Sequence, residues 1–365
     1  MEFRLSNDKR DRPLSLSKII RGILCLCVLL TSAFFMLVYV GFFTAVIIRI
    51  FSVHYSRQTT SFFFGNWLTL WCFLFEKINK TRVIFSGETL PPKERIILVS
   101  NHRTEVDWMY LWNLALRKNR LGYIRYILKS SLMKLPVFGW GFLILEFIPV
   151  RRKWELDETP LRKMLKSFRN PEDPLWLVVF PEGTDFTEKK RDSNQLYAKQ
   201  NGFPVMSNVL LPKAKGFHAC LSELTGCVDA VYDLTIGYKF RSPSLLDNVF
   251  GVAPSEVHVD VRRVPVQEIG STEKERGEWL MGAFARKDEM LCGFYRDGCF
   301  SDEVDEGELS GFQGIGSFAL VGILVSVAIF LTFFCSVWFK VYVVLVCGYL
   351  SFATSFNFRP CDYIR

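Results

Sequence analysis

The sequence predicts an α/β domain on a largely parallel or mixed sheet, held between membrane-spanning helices at its two ends. Three observations lead there. Half of the 365 residues are hydrophobic, Phe alone accounts for 34, and the mean hydropathy is positive; a soluble domain is rarely so apolar throughout. The excess includes long runs without a charge, 22–48 near the start and 315–339 and 341–356 near the end. Between them, strand-like runs alternate with helix-like segments, the pattern of α/β layering.

The elements follow in chain order. Residues 1–18 are polar and basic, with Arg4, Lys9, Arg10, Arg12 and Lys18 ahead of Arg21. The run 22–48 is long enough to cross a ~30 Å hydrocarbon core with some tilt. It has neither the short apolar region nor the small-residue cleavage site of a secretory signal, so it reads as a retained transmembrane helix. The basic start favours a cytoplasmic N-terminus, although Arg49 and Arg57 blunt the asymmetry. Residues 61–75 are rich in Phe and Trp and too short to cross as a straight helix. An interfacial or re-entrant helix is expected there, with a core helix of the next domain as the alternative. Residues 1–80 thus form an anchoring region.

Residues 81–300 form the globular domain. Strands are expected at 83–86, 96–100, 143–150, 175–180, 228–238 and 257–264, and helices at about 106–117, 160–168, 213–224 and 272–291. A turn bracketed by Pro171 and Pro174 stops one helix before the next strand. Residues 301–310 are an acidic linker, expected to be a solvated hinge. Residues 311–365 are expected to form a C-terminal transmembrane hairpin, with Lys340 at its turn, and a tail; the second run is short, so one long span followed by an interfacial helix is the alternative.

The net charge is +8. In a membrane-bound chain this points to anionic headgroups or a cytoplasmic face. No zinc-finger spacing or aromatic-and-basic RNA module argues for nucleic acid. The ten cysteines include no CxxC pair and none at metal-ligand spacing to a His. They read as small hydrophobes in a reducing environment, and no metal is implied.

Four stretches carry chemistry. Asn101-His102-Arg103-Thr104-Glu105-Val106-Asp107 follows an apolar strand. If a helix began right after the strand, the five-residue spacing would let His102 and Asp107 meet at its mouth. A carboxylate beside an imidazole fixes the tautomer and raises the basicity of the other nitrogen. The bland alternative is a surface pair at a helix start. Phe180-Pro181-Glu182-Gly183-Thr184 lies at the end of another strand, where ligands of open α/β sheets bind. Glu182 would project into the crevice and Gly183 would let a ligand approach the backbone. Arg151, Arg152 and Lys153 follow a third strand; Arg forks suit phosphate, and a solvated face is the plain alternative. Leu210-Leu211-Pro212-Lys213-Ala214-Lys215-Gly216-Phe217 leads into a helix whose start could hold an anion, with a common surface entry as the plain alternative.

Together these residues resemble the glycerolipid acyltransferases, the lysophosphatidic acid acyltransferases. Asn101-His102 through Asp107 matches the family's NHxxxxD block in full, and Phe180–Thr184 its FPEGT block. Phe147-Ile148-Pro149-Val150-Arg151-Arg152 matches an intermediate block loosely, and Leu211–Phe217 matches a block of the eukaryotic branch that includes lysocardiolipin acyltransferase-like enzymes. The resemblance covers roughly 95–240. Its one departure is Asp185, where many members carry an Arg that helps hold the acceptor's phosphate. Arg151, Lys189 or Lys213 would have to serve instead, or the headgroup differs.

The resemblance implies a glycerolipid-acyltransferase-like mixed sheet with flanking helices. It implies transfer of a fatty acyl group from acyl-CoA to the sn-2 hydroxyl of lysophosphatidic acid, giving phosphatidic acid for phospholipid synthesis. His102 would be the general base and Asp107 its orienting carboxylate. Glu182, Gly183, Thr184, Arg151 and Lys213 would contact substrate. No cofactor is implied, acyl-CoA being a co-substrate; the partners are the lysophospholipid, acyl-CoA and the bilayer. The chain would be a multi-pass protein of the endoplasmic reticulum membrane with its catalytic domain in the cytosol. Rivals are acylation of another lysophospholipid, of the lysocardiolipin or lysophosphatidylinositol type, or a catalytically silent lipid-binding scaffold. His54, His218 and His258 read as interfacial, packing and solvent-facing residues respectively. Asn79-Lys80-Thr81 is a glycosylation sequon whose use would invert the topology.

Overall fold

The computed structural model describes residues 14–91, 93–252, 256–300, 303–304, 306–307 and 309–358. The basic residues Arg4, Lys9, Arg10 and Arg12 lie outside them. One helical stretch runs from Leu16 to Phe51, long and apolar enough to cross a membrane. It consists of α1 (Leu16–Phe35), two wider turns over Met36–Gly41 and Phe43–Ile47, and α2 (Ile48–Phe51). Ser52 breaks it in an extended conformation and caps α3 (Val53–Phe73) by accepting from the Tyr55 amide. The helix expected over 61–75 is the latter part of this longer one. The aromatic residues that suggested a headgroup belt largely fill the core: Phe64, Trp67, Trp71 and Phe75 are buried, and Phe62 alone among the named five is exposed. The sequon residue Asn79 is also buried, its amide donating to the Asn248 carbonyl and accepting from Arg21.

The strands are β1 (Arg82–Gly87), β2 (Ile96–Ser100), β3 (Ile124–Lys129), β4 (Ile148–Val150), β5 (Trp176–Val179), β6 (Ala230–Tyr238), β7 (Glu256–Pro265) and β8 (Glu303–Val304). They form one sheet in the order β4-β3-β5-β2-β6-β7-β1-β8. The first five run parallel to one another, while β7 is antiparallel to β6. The carboxyl ends of β2, β4, β5 and β6 therefore share one edge, and the loops that leave it can converge.

Helices α4 (Asp107–Arg117), α5 (Phe138–Ile144), α6 (Trp154–Ser167), α7 (Glu188–Asn201), α8 (Ala214–Glu223), α9 (Leu245–Phe250) and α10 (Glu273–Asp297) surround the sheet. Alternation of side chains divides β2 between two cores. Ile96 and Leu98 join the cluster containing α3 and α4, which continues into the N-terminal helix; Ile97 and Val99 pack with α6, α8 and α10. Two further apolar helices, α11 (Gly311–Phe334) and α12 (Val337–Ser355), are each long enough to cross a membrane. Their turn is at Cys335 and Ser336, not at Lys340, which lies in the first part of α12 because Ser336 caps that helix.

Other expectations are corrected. The apolar stretch expected as a strand at 143–150 is mostly α5, and only Ile148–Val150 pairs in the sheet. Leu145 still bonds back to Gly141, and Glu146, at φ 55, turns the chain out of the helix. Part of the acidic linker is not a solvated hinge: Glu303 and Val304 form β8 against β1, and Glu306 pairs with Lys118. His258 is buried against Phe294 and Phe300, 2.8 Å from a Glu256 oxygen, rather than solvent-facing.

Candidate active site

Strand β2 ends at Ser100, and the next side chain continues its pairing. The Asn101 amide donates to the Ile236 carbonyl at 3.0 Å and accepts from the Ile236 N–H at 2.8 Å. It replaces a backbone unit beside β6 and fixes where His102 begins. The His102 N–H donates to Glu182 Oε1 at 2.8 Å, and its carbonyl accepts from the Phe186 N–H at 2.8 Å. Phe180 stacks on the imidazole, the centroids 4.5 Å apart.

His102 Nδ1 lies 2.8 Å from Asp107 Oδ2. The pair does not form along a helix face as the spacing suggested. Residues 101–103 are loop, and Asp107 is the first residue of α4. The same Oδ2 accepts the Thr104 N–H at 2.9 Å, so Asp107 closes the turn that aims it at the ring. Asp107 is fully buried, while the His102 side chain keeps 17% exposure. A carboxylate can only accept, so Nδ1 carries the proton and Nε2 is the basic nitrogen. No partner for Nε2 is found among the described residues. Burial works against a charged imidazole, but the hydrogen bond and charge of Asp107, with Glu182 and Asp185 beyond it, outweigh burial and raise the His102 pKa.

Glu182 does not project into the crevice. It is 3% exposed, and its second oxygen accepts the Leu210 N–H at 3.0 Å. Both oxygens are thus committed to main-chain amides, and the side chain staples the His102 loop to the segment before α8. Burial pushes its carboxyl up to about 8, against the two amides that favour its charged form. Gly183 has φ +71, a conformation that L side chains rarely adopt. The Lys213 side chain runs over it, and the Lys213 N–H donates to the Pro181 carbonyl at 2.9 Å. Thr184 and Asp185 share Lys190, whose Nζ donates to Thr184 Oγ1 at 2.8 Å and to Asp185 Oδ1 at 2.9 Å. Burial would raise the Asp185 carboxyl, but Lys190 and Thr184 bring it below its ordinary range. Lys190, rather than Lys189, is therefore the cation on this loop's acid.

The structure brings His102, Asp107, Glu182, Gly183, Thr184 and Lys213 together. Arg151 stands on the same sheet edge but beyond β4, with β3 between that strand and β5. Its N–H donates to Asp157 Oδ1 at 2.7 Å, and its side chain is exposed. Sequence reasoning missed Asn101 as a clamp, Lys190, and Tyr238, whose hydroxyl lies 2.5 Å from Asp107 Oδ1. An apolar cavity of about 80 Å³ is lined by Trp108 and Met109 of α4, which follow Asp107 in the chain, by Phe138 and Phe142 of α5, and by Leu37 and Trp67 of the N-terminal helices.

This fold and site are those of an acyl-transferring family, and the chain belongs to it: residues 82–239 match the acyltransferase family and 248–313 the acyltransferase C-terminus. Among its relatives is the Arabidopsis thaliana protein named probable 1-acyl-sn-glycerol-3-phosphate acyltransferase 5, 54% identical over 96% of this chain and 94% of that one. Lysocardiolipin acyltransferase 1 of Gallus gallus is 36% identical over 67% of this chain and 66% of that one. The crystal structure of PlsC, the 1-acyl-sn-glycerophosphate acyltransferase of Thermotoga maritima, aligns with a TM-score of 0.42 and 19% identity, over 75% of this chain and 98% of that one.

Proposed function

We propose that the protein moves a fatty acyl group from acyl-CoA to the sn-2 hydroxyl of lysophosphatidic acid, releasing CoA and phosphatidic acid. The observation that carries the reading is an imidazole whose Nδ1 is held by a buried carboxylate while the ring stays open to the crevice. His102 Nε2 takes the hydroxyl proton as the oxygen attacks the thioester carbonyl. The tetrahedral intermediate collapses, the C–S bond breaks, and the imidazolium returns the proton to the CoA thiolate. A thioester is already activated, so no protein nucleophile is needed. The 54% identity to a relative named for this acceptor supports the choice of substrate.

Glu182 and Gly183 act by shaping the loop, while Thr184, Lys190, Lys213 and Arg151 are the polar groups at or near the acceptor's side. The acyl chain would lie along the apolar wall that α1, α3, α4 and α5 form beside Trp108. The domain would face the cytosol at the endoplasmic reticulum membrane, where CoA esters are available; the burial of Asn79 leaves the sequon no room for a glycan on either side.

A second reading has one observation in its favour. Asp185, tied to Lys190, stands where the resemblance leads one to expect Arg. The acceptor would then be a lysophospholipid with another headgroup, of the lysocardiolipin type. The test is a panel of lysophospholipids offered with oleoyl-CoA to the full-length protein in vesicles. Lysophosphatidic acid should be consumed fastest, and His102→Ala should lower kcat by about 10²–10⁴-fold. Faster use of another lysolipid selects the second reading. Near wild-type turnover by His102→Ala overturns the mechanism.

A further inference from the structure

Strand β6 overruns its neighbour. The last pair of the β2–β6 ladder is Ser100 with Leu234, yet β6 continues to Tyr238. The Asn101 clamp on Ile236 carries the register onward, and two residues later, on the same face, comes Tyr238. Its ring is 2% exposed and packs edge to face on Tyr110, the centroids 5.8 Å apart. Its hydroxyl reaches Asp107 Oδ1 at 2.5 Å, while the other carboxylate oxygen serves His102 and Thr104.

We infer that Tyr238 is a positioning residue for His102, setting both the aim and the basicity of the imidazole through Asp107. The inference rests on the reading of His102 as the base. A carboxylate with one oxygen held from β6 and the other by the turn before α4 cannot rotate. The imidazole then meets a single oxygen in one orientation. The phenolic O–H also draws charge from Asp107, which moderates how strongly the carboxylate stabilises the imidazolium. The base is left strong enough to accept a proton and weak enough to return it to the thiolate.

Other charged or titratable groups face this pair. Glu182 and Asp185, beyond β5, act on His102; Tyr110 of α4 and Tyr295 of α10 lie near Asp107, and Arg103 lies over the Tyr295 ring. Of the phenols around the pair, Tyr238 is the one whose hydroxyl bonds Asp107. Burial and the neighbouring Asp107 charge keep the Tyr238 phenol protonated, so it remains a donor across the working range.

The test uses the full-length protein in vesicles, comparing Tyr238→Phe with Tyr110→Phe. Tyr110 is a matched buried phenol that donates to Asn248 Oδ1 instead. Tyr238→Phe should lower kcat about five- to tenfold, the size of one hydrogen bond, with KM for both substrates within about twofold. Freed of its donor, Asp107 holds the imidazolium more tightly, so the acid limb of the kcat profile should move up by about half a pH unit. Tyr110→Phe should leave that limb in place. In an Asp107→Asn background, Tyr238→Phe should change kcat less than about twofold, because the relay is already cut. An unmoved limb, an equal shift in Tyr110→Phe, or additive losses in the double variant would overturn the inference. Failure of the base assignment itself would appear separately, as activity retained by His102→Ala.

Discussion

Two clusters of buried charge sit at opposite edges of the same parallel strands, and they differ in what they leave open. At the carboxyl edge, His102, Asp107 and Glu182 are bonded to Tyr238, Thr104 and Leu210, yet the imidazole keeps 17% exposure. At the amino edge, Arg57 bonds both Glu146, at 2.8 Å, and Asp173, at 3.0 Å. Arg49 reaches Glu146 at 3.0 Å, and Arg95 donates to the carbonyls of Phe168 and Asn170. Arg49 and Arg57 come from α2 and α3, so this edge fastens the N-terminal helices to the domain. Charge closed off from solvent makes a clamp, with the Arg49 and Arg57 side chains 5% and 6% exposed; charge that meets the crevice, as the imidazole does, makes a base. The same sheet geometry supports both, and access to the crevice decides which.

The largest effect should come from separating the two halves of the base. Asp107→Asn should reduce kcat by about 10³–10⁴-fold, comparable to loss of the orienting carboxylate in a serine hydrolase. The pH profile should respond with a definite sign. With the wild-type pKa raised, the acid limb lies above the ordinary imidazole value of about 6.5. Without Asp107, burial dominates and the limb should fall below it. Stability runs the other way. A raised His102 pKa stabilises the folded chain fully below the unfolded value, and this is lost as pH rises through the folded value. Between those values the wild type should gain activity as it gives up a little stability. A limb that stays in place in Asp107→Asn would erase the distinction between base and clamp.

The clamp should respond in stability rather than in chemistry. Burial would raise the Glu146 carboxyl, but Arg57 and Arg49 hold it well below the usual carboxylate range. Its contribution is therefore complete above the unfolded carboxyl value and is lost progressively as pH falls from there toward the folded value. Arg57→Met leaves Glu146 and Asp173 short of a buried partner, and breaking such a pair costs about 3–5 kcal/mol. The thermal midpoint in detergent should fall by roughly 10 °C. The surviving folded fraction should keep the wild-type acid limb. A shifted limb would mean that the two edges are coupled through the sheet.

The sequence made some of this legible and hid the rest for a physical reason. His102 and Asp107 are five residues apart, and β2 and β5 are short apolar runs ending in recognisable turns. Tyr238 is 131 residues from Asp107, and only the pairing of β6 beyond β2 brings them together. Glu182 was found by its motif, but its direction depends on two amides, one of them in a distant segment. The strand β3 was missed because Arg125 and Lys129 interrupt its apolar run. Helix α7 was missed because its face is polar, with Ala198 its one buried residue. The stretch holding α5 and β4 is apolar apart from Glu146, so periodicity could not distinguish helix from strand.

The smallest predicted effect probes the rim, where neither rule holds fully. Lys190 is 38% exposed and Asp185 45%, so their ion pair contributes little to stability. Its use is local: Lys190 fixes the Thr184 hydroxyl and offsets a carboxylate beside an expected phosphate. Lys190→Ala should leave the thermal midpoint and the acid limb unchanged. It should raise KM for lysophosphatidic acid by about three- to tenfold, the range of one exposed charged contact, and KM for acyl-CoA should stay the same. Asp185→Arg should move KM for lysophosphatidic acid the other way. If both KM values are unaffected by either change, the Thr184–Lys190 rim takes no part in headgroup binding, and Lys213 and Arg151 become the cations that hold the phosphate.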